Sequence, residues 1–337
     1  STKIKNSYEM YKKDLKLSFI VLFIAGCGLV YQYLLASYAS RVVGSFETVI
    51  YTVITLMILG MGIGAFFAKY FKNKFLAFSI LESVIGLLAV FTIFIISATH
   101  AFANNLPIYI SELFNLPIEY VMKGGFIKSL ETFLNSTTYI MSGLLGILLG
   151  MEIPLIASIR EELYKGKKLE NNIGVIYGID YIDAGIGAFI YIFILMQMEI
   201  YDALAIVALT NVIIGFVFIC LFYKNIKRIK TVIGFQILTS ILIWFACDNL
   251  NDWEKHLKQS MFTDELIYSY NTPYQNLSLT KGKNIYNNES SLTFFINGKT
   301  QFAQEDEGIY HAFLTYPAII ASGMSKDILI IGGGDGL

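Results

Sequence analysis

Residues 46–68 read FETVIYTVITLMILGMGIGAFFA, an unbroken apolar run whose one charge, Glu47, stands at its start. A helix rises 1.5 Å per residue, so about 20 such residues cover the hydrocarbon core of a bilayer. The run is also apolar on every side, whereas a surface helix of a soluble domain alternates apolar and polar faces. Working outward, residues 17–38, 75–99, 127–157, 173–198, 202–223 and 231–247 have the same character. These runs predict a multi-pass α-helical membrane domain of about seven spans over residues 1–247, and they explain a hydrophobic content of 55%. The fourth run is long enough to tilt or project. Residues 100–126, with Pro107, Pro117, Glu112 and Glu119, read as an interfacial loop holding a short amphipathic helix.

Charge distribution says more than net charge. The total of −1 predicts no nucleic-acid partner. A basic leader (Lys3, Lys5, Lys12, Lys13, Lys16) precedes the first run, which is too long and too closely followed by others to be a cleavable signal. Basic residues also mark alternate loops: Lys69, Lys72 and Lys74; Arg160, Lys165, Lys167 and Lys168; Lys224, Lys227, Arg228 and Lys230. The remaining loops carry little positive charge, so the N-terminus is expected in the cytoplasm of a cell-membrane protein. Seven crossings then carry residue 248 to the outside. Cys27, Cys220 and Cys247 are odd in number and far apart, which reads as buried free thiols; no metal site is expected.

Within the runs, Gly60/Gly64, Gly146/Gly150 and Gly174/Gly178 have the four-residue spacing that lets helix backbones approach closely. Four acids, Glu82, Glu152, Asp180 and Asp183, also lie there. Asp180 and Asp183 share one helical face. They mark either a polar pocket or cation path, or the cytoplasmic interface of their span.

After Cys247 the composition changes. Residues 248–266 read as a linker with a helix, and residues 267–305 as a small β-strand subdomain. Tyr274–Lys281, Ser290–Asn297 and Thr300–Ala303 are the expected strands, with a tight turn at Asn297-Gly298. Residues 306–322 read as a helix opened by Asp306 and Glu307. The apolar Asp327-Ile-Leu-Ile-Ile331 then runs into Gly332-Gly-Gly-Asp335-Gly336, the pattern that opens a nucleotide-binding α/β unit.

The order of these elements is specific. Tyr274-Gln275-Asn276, Asn297-Gly298-x-x-Gln301, Asp306-Glu307-x-x-Tyr310-His311 and Leu329-Ile-Ile-Gly-Gly-Gly-Asp-Gly336 together resemble the spermidine synthase (polyamine aminopropyltransferase) family. Gly28-Leu-Val-Tyr-Gln32 and Leu59-Gly-Met-Gly-Ile-Gly64 are similar to the helical domain of its membrane-bound branch. The resemblance implies transfer of an aminopropyl group from decarboxylated S-adenosylmethionine to putrescine, giving spermidine and methylthioadenosine. The sulfonium compound is a co-substrate, and no cofactor is implied.

By the same resemblance, Gln275 contacts the nucleoside-bearing substrate, and Tyr310 and His311 line the amine channel. Asp335 holds an ammonium, Gly332, Gly333, Gly334 and Gly336 bring backbone to the sulfonium compound, and Gln301 joins the pocket. Ala312 departs from the family, many members of which carry Glu there. The implied fold of residues 306–337 is the start of a Rossmann-like, methyltransferase-type sheet, making the tail a truncated α/β domain. The catalytic aspartate, the proton acceptor, is expected downstream of Leu337, so the chain is expected to be an incomplete or inactive fragment. The implied partners are the lipid bilayer, a small polyamine and a second copy of the chain. Substrate location favours a cytoplasmic tail, against the charge count. Two other readings stay open: a polyamine-like cation transporter or sensor with a vestigial tail, and a methyltransferase-like or inactive relative.

Overall fold

The computed structural model describes residues 2–43, 46–122, 125–164, 172–226, 228–272, 275–284, 289–323 and 327–329. Helices α1 (Thr2–Val43), α2 (Phe46–Phe67), α3 (Lys74–Phe114), α4 (Ile118–Met122), α5 (Gly125–Leu163), α6 (Asn172–Phe193), α7 (Ile200–Phe222) and α8 (Ile229–Asp248) form a bundle. A short helix, α9 (Leu250–Ser260), leads to strands β1 (Glu265–Asn271), β2 (Asn276–Lys283), β3 (Ser290–Ile296) and β4 (Lys299–Ala303), followed by helix α10 (Glu307–Ser322). Among the described residues, seven helices (α1, α2, α3, α5, α6, α7 and α8) are long and apolar enough to cross a membrane, by length and composition.

The core of the bundle is aliphatic with an aromatic seam. Phe75 and Phe78 of α3 meet Phe218 and Phe222 of α7, the closest ring pair, Phe78 and Phe218, lying 4.6 Å apart. Glycine allows closer contact between α2 and α5. A Cβ at Gly60 or Gly64 would strike the α5 backbone near Gly143 and Ile147, and one at Gly146 or Gly150 would strike the α2 backbone at Met57 and Met61. Two of the three spaced glycine pairs thus face each other across one helix contact. The third does not behave this way, since nothing lies within 4 Å of a Cβ at Gly178. The close approach of α1 and α6 instead uses Gly26 and Gly187, which no four-residue glycine spacing announces.

Residues 100–114 are not a loop. Asn73 caps α3, its side chain accepting from the Leu76 N–H at 3.1 Å, and the helix then runs on through Pro107. Ala101, Ala103 and Leu106 are buried along this extension, so packing outweighs the backbone hydrogen bond that proline cannot make. The helix stops at Asn115, which adopts a left-handed φ of 49° and donates back to the Ser111 carbonyl.

The strands form one antiparallel meander in the order β1-β2-β3-β4. Its polar face is the buried one: Ser278, Thr280 and Ser291 are 1%, 0% and 6% exposed, whereas Leu277, Leu279 and Phe294 on the other face are only half-buried. The polar face seats on the bundle end where α1 and the buried part of α3 finish and α7 begins. Tyr38, Arg41, His100, Tyr201, Asn276 and Ser278 line the junction. Asn271 Nδ2 donates to Glu199 Oε2 at 2.9 Å, Asn105 Nδ2 to the Ser260 carbonyl at 2.7 Å, and Phe295 meets Phe262 at 4.8 Å. Far from this junction, Asp14 near the start of α1 takes a two-pronged bond from Arg160 of α5, Nε at 2.6 Å and Nη2 at 2.9 Å.

The expectation of an α/β domain beginning a Rossmann-like sheet is corrected here. The sheet is wholly antiparallel, β1 adds a strand ahead of the three that the sequence marked and begins two residues before the expected β-strand subdomain, and residues 327–329 belong to no strand. A parallel strand needs a neighbouring strand and cover on both faces, and no described residue supplies either to 327–329.

The glycine contact makes a sharp test. Gly146→Val or Gly150→Val should destabilise the protein by about 1–3 kcal/mol or more, because backbone cannot rotate away from the added carbons. Gly143→Ala should change stability by less than about 1 kcal/mol, in the stabilising direction, since nothing lies within 4 Å of its Cβ. Thermal unfolding in detergent micelles measures both.

Candidate substrate cleft on the sheet

The residues of the sheet motifs divide into two groups once their bonds are traced. Asn276 and Asn297 hold the backbone. Asn276 N–H donates to Asn297 Oδ1 at 2.8 Å, and Asn297 N–H donates to the Asn276 carbonyl at 2.8 Å. Asn276 Nδ2 reaches Asn271 Oδ1 at 2.8 Å, while its Oδ1 accepts from the Ser278 hydroxyl at 2.7 Å. Asn297 and Gly298 carry φ of 50° and 71°, a left-handed pair suited to a tight hairpin between β3 and β4. Thr272 closes the β1–β2 connection, its Oγ1 accepting from the Gln275 N–H at 2.9 Å.

With the backbone pinned, Gln275, Gln301 and Tyr310 come to one cleft of about 330 Å³, whose other walls are Leu277, Phe294, Ile296 and Phe302. They arrive from the start of β2, from β4 and from the second turn of α10. Asp306 fixes that last element. Its Oδ1 accepts from the Ala303 N–H at 3.0 Å, and its carbonyl accepts from the Tyr310 N–H at 2.8 Å. The Tyr310 ring lies nearly parallel to Phe302, with centroids 6.4 Å apart. Gln301 is exposed, its Nε2 donating to the Lys299 carbonyl at 3.3 Å.

His311 stands beside the cleft rather than in its wall. Its ring meets Tyr310 edge-on at 5.2 Å, and its Nδ1 donates to the Glu307 carbonyl at 2.9 Å. The carbonyl can only accept, so Nδ1 carries the proton of this bond. Gly332, Gly333, Gly334, Asp335 and Gly336 lie outside the described residues, as do Tyr274, Lys165, Lys167, Lys168 and Lys227. Asp180 and Asp183 sit elsewhere, in the bundle. Asp180 is half-buried; Asp183 is 4% exposed, accepts the Gly26 N–H at 2.5 Å and borders a groove between α1, α6 and α7. Tyr177 and Tyr181 are exposed and stack on each other, at 6.3 Å.

Sequence reading did not name Phe294 and Phe302 as the cleft's aromatic floor. Their ring contact of 5.5 Å follows from the β3–β4 register, which pairs the two residues directly. The resulting cleft has apolar walls, two carboxamides and a phenol. Among its described lining residues there is no carboxylate. It can hold a flat or aliphatic group and hydrogen-bond its polar edge, but it offers no base of its own.

A helical bundle with a small antiparallel sheet and an amide- and tyrosine-lined cleft is the class that fold and site define. No family model matches the chain, and no solved structure matches it. Among curated proteins it is similar to the polyamine aminopropyltransferase of Shewanella oneidensis, 39% identical over 96% of this chain and 56% of the relative. It is also similar to polyamine aminopropyltransferase 1 of Streptomyces coelicolor, 25% identical over 94% of this chain and 55% of the relative. The polyamine aminopropyltransferase of Leptospira interrogans is 27% identical over 94% of this chain and 57% of the relative. The chain belongs to the spermidine synthase, or polyamine aminopropyltransferase, family. It spans about half the length of the curated relatives it matches.

The two groups of motif residues should separate experimentally. Asn276→Ala should cost about 1–3 kcal/mol of sheet stability and open residues 265–303 to protease. Gln301→Ala should stay within about 0.5 kcal/mol, since its side chain makes one local bond at the surface.

Proposed function

We propose that this chain is the helical and strand-bearing part of a membrane-embedded aminopropyltransferase. The enzyme moves the aminopropyl group of decarboxylated S-adenosylmethionine to putrescine and releases spermidine and methylthioadenosine. The amine nitrogen forms the new C–N bond, the C–S bond of the sulfonium breaks, and the proton lost by the amine passes to a base. No metal or further cofactor is needed, and a second copy of the chain is a plausible partner. What carries the reading is the meeting of Gln275, Gln301 and Tyr310 in one cleft from three separate elements. It agrees with the similarity to polyamine aminopropyltransferases.

Each residue then has a task. Gln275 hydrogen-bonds the nucleoside-bearing co-substrate. Tyr310 packs along the aliphatic amine and offers its hydroxyl to an end nitrogen. His311, tethered to the Glu307 carbonyl through its Nδ1–H, buttresses Tyr310 from its edge. Gln301 borders the mouth. Asp335 and the glycines Gly332, Gly333, Gly334 and Gly336 would complete the ammonium and sulfonium side. The base comes from outside the described lining residues. Alignment of nitrogen, carbon and sulfur supplies most of the rate, so loss of a positioning group is felt in kcat/KM.

The full-length gene product, given co-substrate labelled in the aminopropyl group, should form labelled spermidine and an equal amount of methylthioadenosine. Tyr310→Phe should lower kcat/KM about tenfold, and Gln275→Ala should raise KM for the co-substrate by a similar factor. A product with no aminopropyl transfer to any diamine sinks the reading.

The membrane part yields a separate prediction. α1 starts at the Asp14–Arg160 end of the bundle and finishes at the sheet, so a protein embedded through these helices has its N-terminus and sheet on opposite faces. Tags at the N-terminus and after residue 260 should therefore show opposite access to protease in intact cells. The transferase reading requires the tag after residue 260 to be the protected one.

A further inference from the structure

The seam between sheet and bundle encloses a polar space that aminopropyl transfer does not use. Arg41 reaches it from the end of α1, His100 from α3, Tyr201 from the start of α7 and Lys258 from α9, while Asn276 and Ser278 close it from the sheet. Contacts on either side hold these walls. The Tyr38 and Tyr201 hydroxyls lie 3.3 Å apart, and His100 Nδ1 lies 3.0 Å from Asn135 Oδ1. At the tip of the β3–β4 hairpin, a Cβ on Gly298 would come within 3.7 Å of the Val42 carbonyl of α1. Three helices of the bundle, α9 and the sheet thus meet around one cavity of about 60 Å³. A single water needs about 10–15 Å³ of such space, so the cavity takes a few waters or one phosphate group, but not a nucleotide.

The charge of this space is one-sided. Arg41 and Lys258 are both half-buried, and no Asp or Glu occurs among the described lining residues. The guanidinium of Arg41 does not lose its proton in a protein. One acid, Glu199, adjoins the cavity, accepting from Asn271 Nδ2 at 2.9 Å. It offsets one of the two positive charges and leaves the other in excess. Cations that share a half-enclosed space are screened less than cations on an open surface, so their pull on an anion is stronger there. An arginine presents a flat fork that matches two oxygens of an oxyanion, and a lysine adds a compact charge beside it.

We propose that this cavity binds the phosphate group of a small anion, held by Arg41 and Lys258. The bound group bridges α1 to α9, the helix that leads into β1, and so locks the sheet on the bundle. The same chemistry has two sources. One is inorganic phosphate. The other is the head group of an anionic lipid, because the seam lies where the membrane-length helix α1 ends and α7 begins. The site is separate from the outward-facing cleft and from the reaction proposed there, so the two readings stand or fall independently.

The test uses the full chain in phosphate-free maltoside micelles, with sodium phosphate as probe and sodium chloride at equal ionic strength as reference. Phosphate should raise Tm saturably and protect residues 248–266 from protease, and chloride should do neither. A second arm replaces phosphate by short-chain phosphatidylglycerol, with short-chain phosphatidylcholine as its reference. A response to phosphate assigns the site to a free anion, and a response to phosphatidylglycerol alone assigns it to a lipid head group. Arg41→Gln and Lys258→Gln should each weaken the effective ligand at least about tenfold. Arg41→Lys keeps the charge but loses the fork, so it should also weaken it, by about tenfold. Lys258 lies on the short helix outside the membrane-length set, so its variant decides the matter if those at Arg41 fail to fold. Lys72→Gln, at an exposed position between α2 and α3, should behave as the parent. A parent protein that responds to neither probe beyond its reference has only a solvated cavity, which overturns the proposal. So does a response that Lys258→Gln leaves unchanged.

Discussion

The seating of the sheet's polar face on the end of the bundle is the constraint on which the rest depends. A small four-stranded sheet has little core of its own and needs one face covered. Here the covered face carries Ser278, Thr280 and Ser291, and the bundle end answers with polar groups, Tyr38, Arg41, His100 and Tyr201. Ser278 is satisfied within the sheet, its hydroxyl donating to Asn276 Oδ1 at 2.7 Å, while the hydroxyls of Thr280 and Ser291 have no partner among the described residues. The consequence is functional. The apolar strip of Leu277, Phe294, Ile296 and Phe302 turns outward, and the cleft forms on it.

The same physics governs the bundle. Ser83 and Gln236 satisfy each other across α3 and α8, and Gln236 Nε2 also donates to the Val212 carbonyl at 3.0 Å. Gly26 N–H and Asp183 do so across α1 and α6. These contacts show how buried polar groups are normally settled in this protein. Asn211 Nδ2 likewise holds Glu82 Oε2 at 3.2 Å, but no described donor reaches Glu82 Oε1 or Asn211 Oδ1.

Hydropathy located all seven apolar helices, because the length of an apolar run is a local property that no distant contact changes. It misjudged α3, where Pro107 and Glu112 suggest a break but the burial of Ala103 and Leu106 carries the helix on. It also missed β1, whose pairing partner β2 lies beyond it in the chain: Tyr268, Ser269 and Tyr270 form a strand only against Leu279, Ser278 and Leu277. The cleft was legible in part. Gln275, Gln301 and Tyr310, which the structure brings to one cleft, were named through the family resemblance, while the ring floor of Phe294 and Phe302 needed the β3–β4 register. The apolar Asp327–Ile331 run suggested a parallel strand, but a strand is a relation between two segments and cannot be read from one.

The geometry of the bundle turns an uncertain span count into a question of charge. The described basic residues of the connecting loops (Lys69, Lys72, Lys74, Arg160, Lys224 and Arg228) lie at the ends of helices remote from the sheet. By the positive-inside rule alone, that end would be the cytoplasmic one and the sheet would lie opposite it. A transferase that draws a sulfonium nucleoside from the cell interior needs the reverse. Adding or removing one crossing no longer reconciles the two, because α1 itself joins the N-terminal end to the sheet. Either the basic loops do not set the orientation of this bundle, or the substrate reaches the cleft from the far side. The charge bias and the substrate therefore make opposite demands on one bundle with its sheet, and only the side on which residue 260 lies can satisfy one of them.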